Sequence, residues 1–158
     1  MAAAAAIEGH FVDIRKLGYA AAPHISCVAS TRENIREWLR LYKESGIRHL
    51  VALRGDLPSG IAAAGEFHFA NELVEFIRRE FGDTFHIEVA AYPEFHPQAR
   101  SAQDDLANFK RKVEAGADSA LTQYFYNADA YYRFIDDCEK AGIAIPIVPG
   151  IMPIGRFS

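Results

Sequence analysis

The sequence predicts a parallel α/β fold assembled from repeated strand-plus-helix units, on three observations. Five short apolar runs recur roughly 25 to 40 residues apart, the length of one such unit. Each run gives way to polar, aromatic or turn-forming residues. Between runs lie segments of helical period with their own start and stop signals.

The opening Met1 to Ala6 is low-complexity alanine and is set aside, leaving residues 7–158 as one domain. A first helix is expected over about Phe11 to Lys16, ended by Gly18. His24-Ile25-Ser26-Cys27-Val28 follows Pro23 as the first strand. Ser30-Thr31-Arg32-Glu33 then reads as a capping box, with Ile35, Trp38, Leu39 and Tyr42 at i, i+3, i+4 and i+7 forming one packing stripe before Gly46. His49-Leu50-Val51-Ala52-Leu53 is a buried strand that runs into Arg54-Gly55-Asp56-Leu57-Pro58. The segment Gly60 to Gly65 reads as a mobile loop over the site. Phe67, Ala70, Leu73, Val74 and Ile77 mark the next helix, ending near Phe81-Gly82. Glu88-Val89-Ala90-Ala91 is the third strand and ends in Tyr92-Pro93-Glu94-Phe95-His96-Pro97. Ser101 to Asp104 opens a helix with Leu106, Phe109 and Val113 inward and Gly116 behind it. Ser119 to Thr122 is the fourth strand. Asn127 opens the last helix, with Tyr131, Phe134, Ile135 and Cys138 inward and Gly142 after it. Ile145 to Val148 closes the series before Pro149-Gly150.

The composition excludes several classes of function. With 158 residues, half of them apolar, the chain can bury a single core. A net charge of -4 argues against a nucleic-acid partner held through phosphates, and no apolar run approaches the ~20 residues of a membrane span. A soluble, cytoplasmic protein is expected. Cys27 and Cys138 fall on a strand and on a packing stripe, as small hydrophobes do. None of the six histidines stands at metal-ligand spacing, so no metal is expected, and His49 and His68 read as surface or packing residues. Neither a GxGxxG fingerprint nor a P-loop occurs.

Candidate site residues cluster where strands end, the position at which parallel α/β folds gather ligands. Arg54 and Asp56 fit either a turn closed by an ion pair or a ligand site. Gln123, at the end of the fourth strand, fits either a satisfied amide or a reader of a heterocycle's edge, since it donates and accepts at once. In the helix after Ser101, the residues Asp105, Asn108, Arg111 and Lys112 form a polar set expected on a face distinct from Leu106, Phe109 and Val113. A solvated outer face is the plain alternative. The approach through Tyr92, His96 and Ala99 would bring phenol, imidazole, amide and cations to one side, as a phosphate- and ribose-bearing cofactor requires.

Ala22-Pro23-His24, the run Gly46 to Pro58, Ala90 to Pro97, Leu106 to Gly116, Thr122-Gln123-Tyr124-Phe125 and Pro149 to Pro153 together resemble the methylenetetrahydrofolate reductase family. The resemblance implies a TIM (β/α)8 barrel, incomplete here, whose five strands look like strands three to seven. It implies FAD at the carboxyl ends of the strands and ping-pong hydride transfer from NAD(P)H to methylenetetrahydrofolate, giving methyltetrahydrofolate. His24, Arg54, Gly55, Asp56, Phe69, Ala70, Tyr92, His96, Ala99, Asp105, Asn108, Arg111 and Lys112 would hold FAD. Asp56 and Gln123 would contact the folate, Asp56 also tuning the flavin. The family commonly carries Tyr where this chain has Phe69. Its general-acid glutamate, its last strand and its folate-binding arginine have no counterpart in these residues. The chain alone is therefore expected to be inactive or incomplete, and its open strand edges predict association into a homo-oligomer.

Two alternatives stand beside this reading. Five parallel strands also suit a flavodoxin-like, doubly wound binding module, in which the site lies at one switch point. A non-catalytic flavin- or nucleotide-binding remnant would retain the contacts without turnover.

Overall fold

A computed structural model describes Gly18 and residues 20–56 and 65–152 of the chain. The helix expected over Phe11 to Lys16 and most of the Gly60 to Gly65 loop lie outside the described residues. The elements are β1 (His24–Ser26), α1 (Arg32–Glu44), β2 (His49–Leu53), α2 (Ala70–Phe81), β3 (His86–Ala91), α3 (Ala102–Glu114), β4 (Ser119–Thr122), α4 (Ala128–Lys140) and β5 (Ile147–Val148). A 3-10 turn at Gly82–Thr84 follows α2.

All five strands are parallel and stand in the sheet in chain order, β1-β2-β3-β4-β5. The register sets His24 beside Val51, Val51 beside Glu88 and Glu88 beside Ser119. One residue further on, Ile25, Ala52, Val89, Ala120 and Ile147 form the next row. Alternate residues of a strand point to opposite faces, so the two rows belong to opposite sides of the sheet. The second row packs with Ile35 and Leu39 of α1, Leu73, Val74 and Ile77 of α2, Phe109 of α3 and Phe134 and Cys138 of α4 in a single cluster. Every described helix thus covers the same face. Sequential strand order with helices on one side only is the layout of an arc of a (β/α)8 barrel. A doubly wound sheet reverses its strand order and carries helices on both faces, so the flavodoxin-like alternative is overturned.

The element ends show what local pattern could not. Thr31, not Ser30, caps α1, its hydroxyl accepting from the Asn34 N–H at 3.2 Å. Ser30 is buried and turns its hydroxyl to the Val28 carbonyl, while Glu33 pairs with Arg36 and not with the helix end. β1 stops at Ser26 because the chain turns at Val28 and Ala29, the latter at a positive φ of 54°. β3 starts two residues earlier than the apolar run, at His86, whose N–H donates to the Arg48 carbonyl at 2.7 Å. β5 begins only after Pro146, which has no N–H to give a ladder. Trp38 is 44% exposed and is not a packing residue among the described ones. At 100° per residue it lies about 160° from Arg36, which bonds Glu80 of α2, so Trp38 points away from α2.

Arg78 ties the amino-terminal end of the sheet together. Its guanidinium donates to the carbonyls of Gly116 at 2.8 Å, Phe85 at 2.9 Å and Gly82 at 3.1 Å, and pairs with Asp118. Asp118 in turn accepts from the Ile87 N–H at 2.6 Å. The α2–β3 and α3–β4 connections are thereby fixed by one side chain.

Candidate functional site

The opposite, carboxyl-terminal end of the sheet carries most of the residues singled out from sequence. Arg54 follows β2, and its own carbonyl accepts from the Ser26 hydroxyl at 2.9 Å, which joins the ends of β1 and β2. Gly55 sits at φ +83°, and a Cβ there would lie 2.0 Å from Ser26 Oγ, so this approach needs glycine. The Arg54 guanidinium reaches Gln98 Oε1 at 2.7 Å, linking the β2 end to the loop between β3 and α3.

Within that loop Tyr92 and His96 meet edge to face with ring centroids 4.6 Å apart. The His96 N–H donates to Asp105 Oδ2 at 3.1 Å, and His96 Nδ1 accepts from the Gln98 N–H at 3.0 Å. Phe95 holds a left-handed φ of 56° with its ring half exposed, a conformation uncommon for a bulky side chain. The Lys112 ammonium donates to the Ala90 carbonyl at 2.5 Å. Arg54, Gln98, His96, Tyr92 and Asp105 are therefore one connected constellation over the ends of β2 and β3, with Lys112 anchored beside it on the Ala90 carbonyl.

Burial governs its electrostatics. Desolvation pulls the Lys112 pKa down to about 8, opposed only in part by the attraction of Asp105. Burial raises the Asp105 carboxyl, against the lowering effect of the His96 N–H. Tyr92 is raised by burial first and then by the negative charges of Asp105 and Asp56, so it stays a neutral phenol and a donor. The site holds a cation at the edge of losing its proton.

The expected separation of polar and apolar faces on α3 is corrected. Asp105 and Lys112, seven residues apart, differ by about 20° around the helix and stand only about 40 to 60° from Phe109. Lys112 lies over the Phe109 ring at 5.6 Å and turns inward to β3. Asn108 pairs with Arg111, which is exposed, so this pair stays on the outer side.

The remaining predicted residues are spread along the same sheet. Gln123 follows β4 and is exposed, its N–H bonded to the Ala91 carbonyl at 2.8 Å and its side-chain oxygen accepting from the Tyr124 N–H at 3.2 Å. Asp56 is exposed. Ala99 donates its N–H to the His96 carbonyl at 2.8 Å. Phe69 takes the N-cap position of α2, just before Ala70, and is 57% exposed; its carbonyl lies 3.8 Å from Cys27 Sγ. His24 opens β1 instead of ending it, on the helix-free face beside Val51.

Sequence reasoning missed two groups. Gln98, bonded to Arg54, carried no periodic signal. His49, His86 and Glu88 come within 4.8 Å of one another on the helix-free face, brought together by strand register and not by local spacing. Burial pushes the thiols of Cys27 and Cys138 up to about 11 and about 12, in keeping with packing roles. Among the described residues no helix is long and apolar enough to cross a membrane.

Comparison with known proteins agrees with this layout. A family model described as methylenetetrahydrofolate reductase matches residues 12–158. The chain is 50% identical over 142 residues to 5,10-methylenetetrahydrofolate reductase of Salmonella typhimurium, covering 90% of this chain and 47% of that protein. To methylenetetrahydrofolate reductase (NADH) 1 of Zea mays it is 44% identical over 147 residues, covering 85% of this chain and 25% of that one. It thus spans about half the length of the bacterial relative. Among solved structures, 2,3-dimethylmalate lyase, a PEP mutase/isocitrate lyase superfamily member, aligns with a TM-score of 0.52 at 11% identity. That alignment covers 79% of this chain and 51% of the other, and shows a likeness of fold alone. A singly wound sheet with its polar constellation at the carboxyl ends, matched over nearly the whole chain, places this protein in the methylenetetrahydrofolate reductase family.

Proposed function

We propose that the chain forms the flavin- and folate-binding part of an NAD(P)H-dependent methylenetetrahydrofolate reductase, with FAD as cofactor. The observation that carries this is the ammonium of half-buried Lys112, bonded to the Ala90 carbonyl near the end of β3 and within the field of Asp105, which itself connects through His96 to Tyr92. A cation kept out of water against a cost in solvation suits a site that meets an anion.

The donor set fits such a cofactor. Arg54 and Lys112 would supply cations for a diphosphate, and His96 and Asp105 partners for ribose hydroxyls, with the Asn108–Arg111 pair reaching the cofactor only from the solvent edge of α3. Tyr92, kept neutral, donates a hydrogen bond and offers an aromatic face. His24, Gly55, Phe69, Ala70 and Ala99 complete the proposed cofactor contacts. Bound flavin would supply the hydride acceptor that NAD(P)H reduces and the donor that methylenetetrahydrofolate consumes, in ping-pong order. Asp56 places negative charge at the mouth, where it disfavours added electron density and accepts from the substrate's amino-heterocycle. Gln123 reads the same heterocycle as donor and acceptor together. A proton donor for the folate nitrogen is not among these assignments, so the chain alone binds without completing turnover. The maize relative's name specifies NADH, which favours NADH as the reductant here.

The test is anaerobic and spectroscopic. Flavin-loaded chain mixed with NADH should lose its oxidised-flavin absorbance, and methylenetetrahydrofolate should bind without restoring it. Absence of any flavin uptake would overturn the proposal. Reduction without folate binding would favour the alternative of a flavin-binding remnant.

A further inference from the structure

We propose that His49, His86 and Glu88 form a binding site for a borderline divalent metal ion of the zinc type, at the amino-terminal end of the sheet. His49 and His86 are the first residues of β2 and β3 and are register partners, while Val51 pairs with Glu88. His86 and Glu88 stand two apart on β3 and so share a face, and the register places His49 on it. Six residue steps, about 20 Å, separate His86 from Tyr92. The cluster is therefore no part of the constellation at the carboxyl ends.

The three side chains stand slightly too far apart to share an ion as they are, and close enough to reach one by a small rotation. One ligand atom from each residue lies within 4.8 Å of the others, and His49 Nδ1 stands 4.0 Å from Glu88 Oε1. The two imidazole centroids are 4.9 Å apart. Zinc bonds of about 2.0 to 2.2 Å bring donor atoms to roughly 3.5 Å from one another, so a rotation moving one group by about 1 Å completes three ligands. The His49 side chain is 46% exposed and has room to make it.

Chemistry points the same way. Two imidazole nitrogens and one carboxylate oxygen form a donor set that suits zinc, cobalt or nickel better than calcium or magnesium, with a fourth position left to water. One nitrogen of the His86 ring is held as in ligating imidazoles: Ser119 Oγ lies 2.8 Å from Nε2, which leaves Nδ1, with Asp118 Oδ2 4.0 Å away, as the nitrogen offered to the ion. Asp118 is itself anchored by Arg78 and the Ile87 N–H. A metal here would pin β2 to β3 at their starts, where barrels hold residues that serve stability. The buried thiols of Cys27 and Cys138 lie elsewhere in the core.

Titration of the whole, untagged chain with zinc chloride by calorimetry tests this directly. One saturable equivalent is expected. Cobalt chloride should give visible bands of a nitrogen- and oxygen-ligated ion with no thiolate charge-transfer band. His86→Ala and the near-isosteric Glu88→Gln should each weaken zinc binding at least about tenfold, while His68→Ala, an exposed loop residue, should leave it unchanged. Far-UV circular dichroism of Glu88→Gln matching the parent separates lost ligation from lost fold. No saturable zinc binding, a thiolate band, or parental affinity in Glu88→Gln and His86→Ala would overturn the proposal. A chain that takes up no flavin tests it equally well.

Discussion

Replacing Lys112 with methionine separates the stability of this fold from its proposed chemistry. The folded-state pKa of Lys112 is about 8 against an ordinary 10.5, which corresponds to about 3.5 kcal/mol. For a base with a lowered pKa, both states are protonated at pH 7, and the folded state bears the full cost of the buried charge. Between pH 8 and 10.5 the folded chain releases the proton while the unfolded chain keeps it, so this group makes stability rise with pH. From pH 7 to 9.5 the gain is about 2 kcal/mol. Cys27 and Cys138 act in the opposite sense, because their raised pKa values keep the folded thiols protonated where unfolded thiols ionise. Their effect is common to parent and variant and cancels in the difference. Urea unfolding of both proteins at pH 7 and 9.5 should therefore show the parent gaining about 2 kcal/mol relative to Lys112→Met as pH rises. A difference that stays constant between the two pH values would refute the account of a desolvated, charge-strained lysine.

Further outcomes follow from single contacts. Gly55→Ala should destabilise the chain by roughly 1–3 kcal/mol in chemical denaturation, since the residue sits at φ +83° with Ser26 Oγ 2.0 Å from the new Cβ. Arg78→Met removes the donor to three backbone carbonyls and leaves Asp118 without its cation, and should cost roughly 3 kcal/mol by the same measurement. The helix-free face of the sheet, where Val148 of β5 is exposed, should drive self-association of the chain, read as mass by light scattering. A stable monomer would contradict that.

The fold was legible where patterning is local and strong. His49–Leu53 and Ser119–Thr122 agree with the structure residue for residue, because buried parallel strands write themselves as short apolar runs between glycine stops. Ser101 and Asn127 were legible as caps for the same local reason. The start of β3 was hidden, because His86 faces the side without helices and reads as a polar residue ahead of the apolar run. Trp38 fitted the helical period yet lies on the flank away from α2, which only tertiary packing reveals. At the site, spacing brought Asp105 and Lys112 together correctly but placed them on the wrong face. A long lysine stem can follow an apolar stripe and hide its charge beneath it. Gln98 and the His49–His86 pair depend on loop course and strand register, neither of which has a period in the sequence.

The most direct measurement of the central claim is FAD affinity, followed by quenching of flavin fluorescence, for the chain and for Lys112→Met at pH 7. Saturable binding that falls at least about tenfold in the variant, corresponding to about 1.4 kcal/mol or more, is the predicted result. Equal affinity in the two proteins would contradict the assignment of the Lys112 constellation to the cofactor.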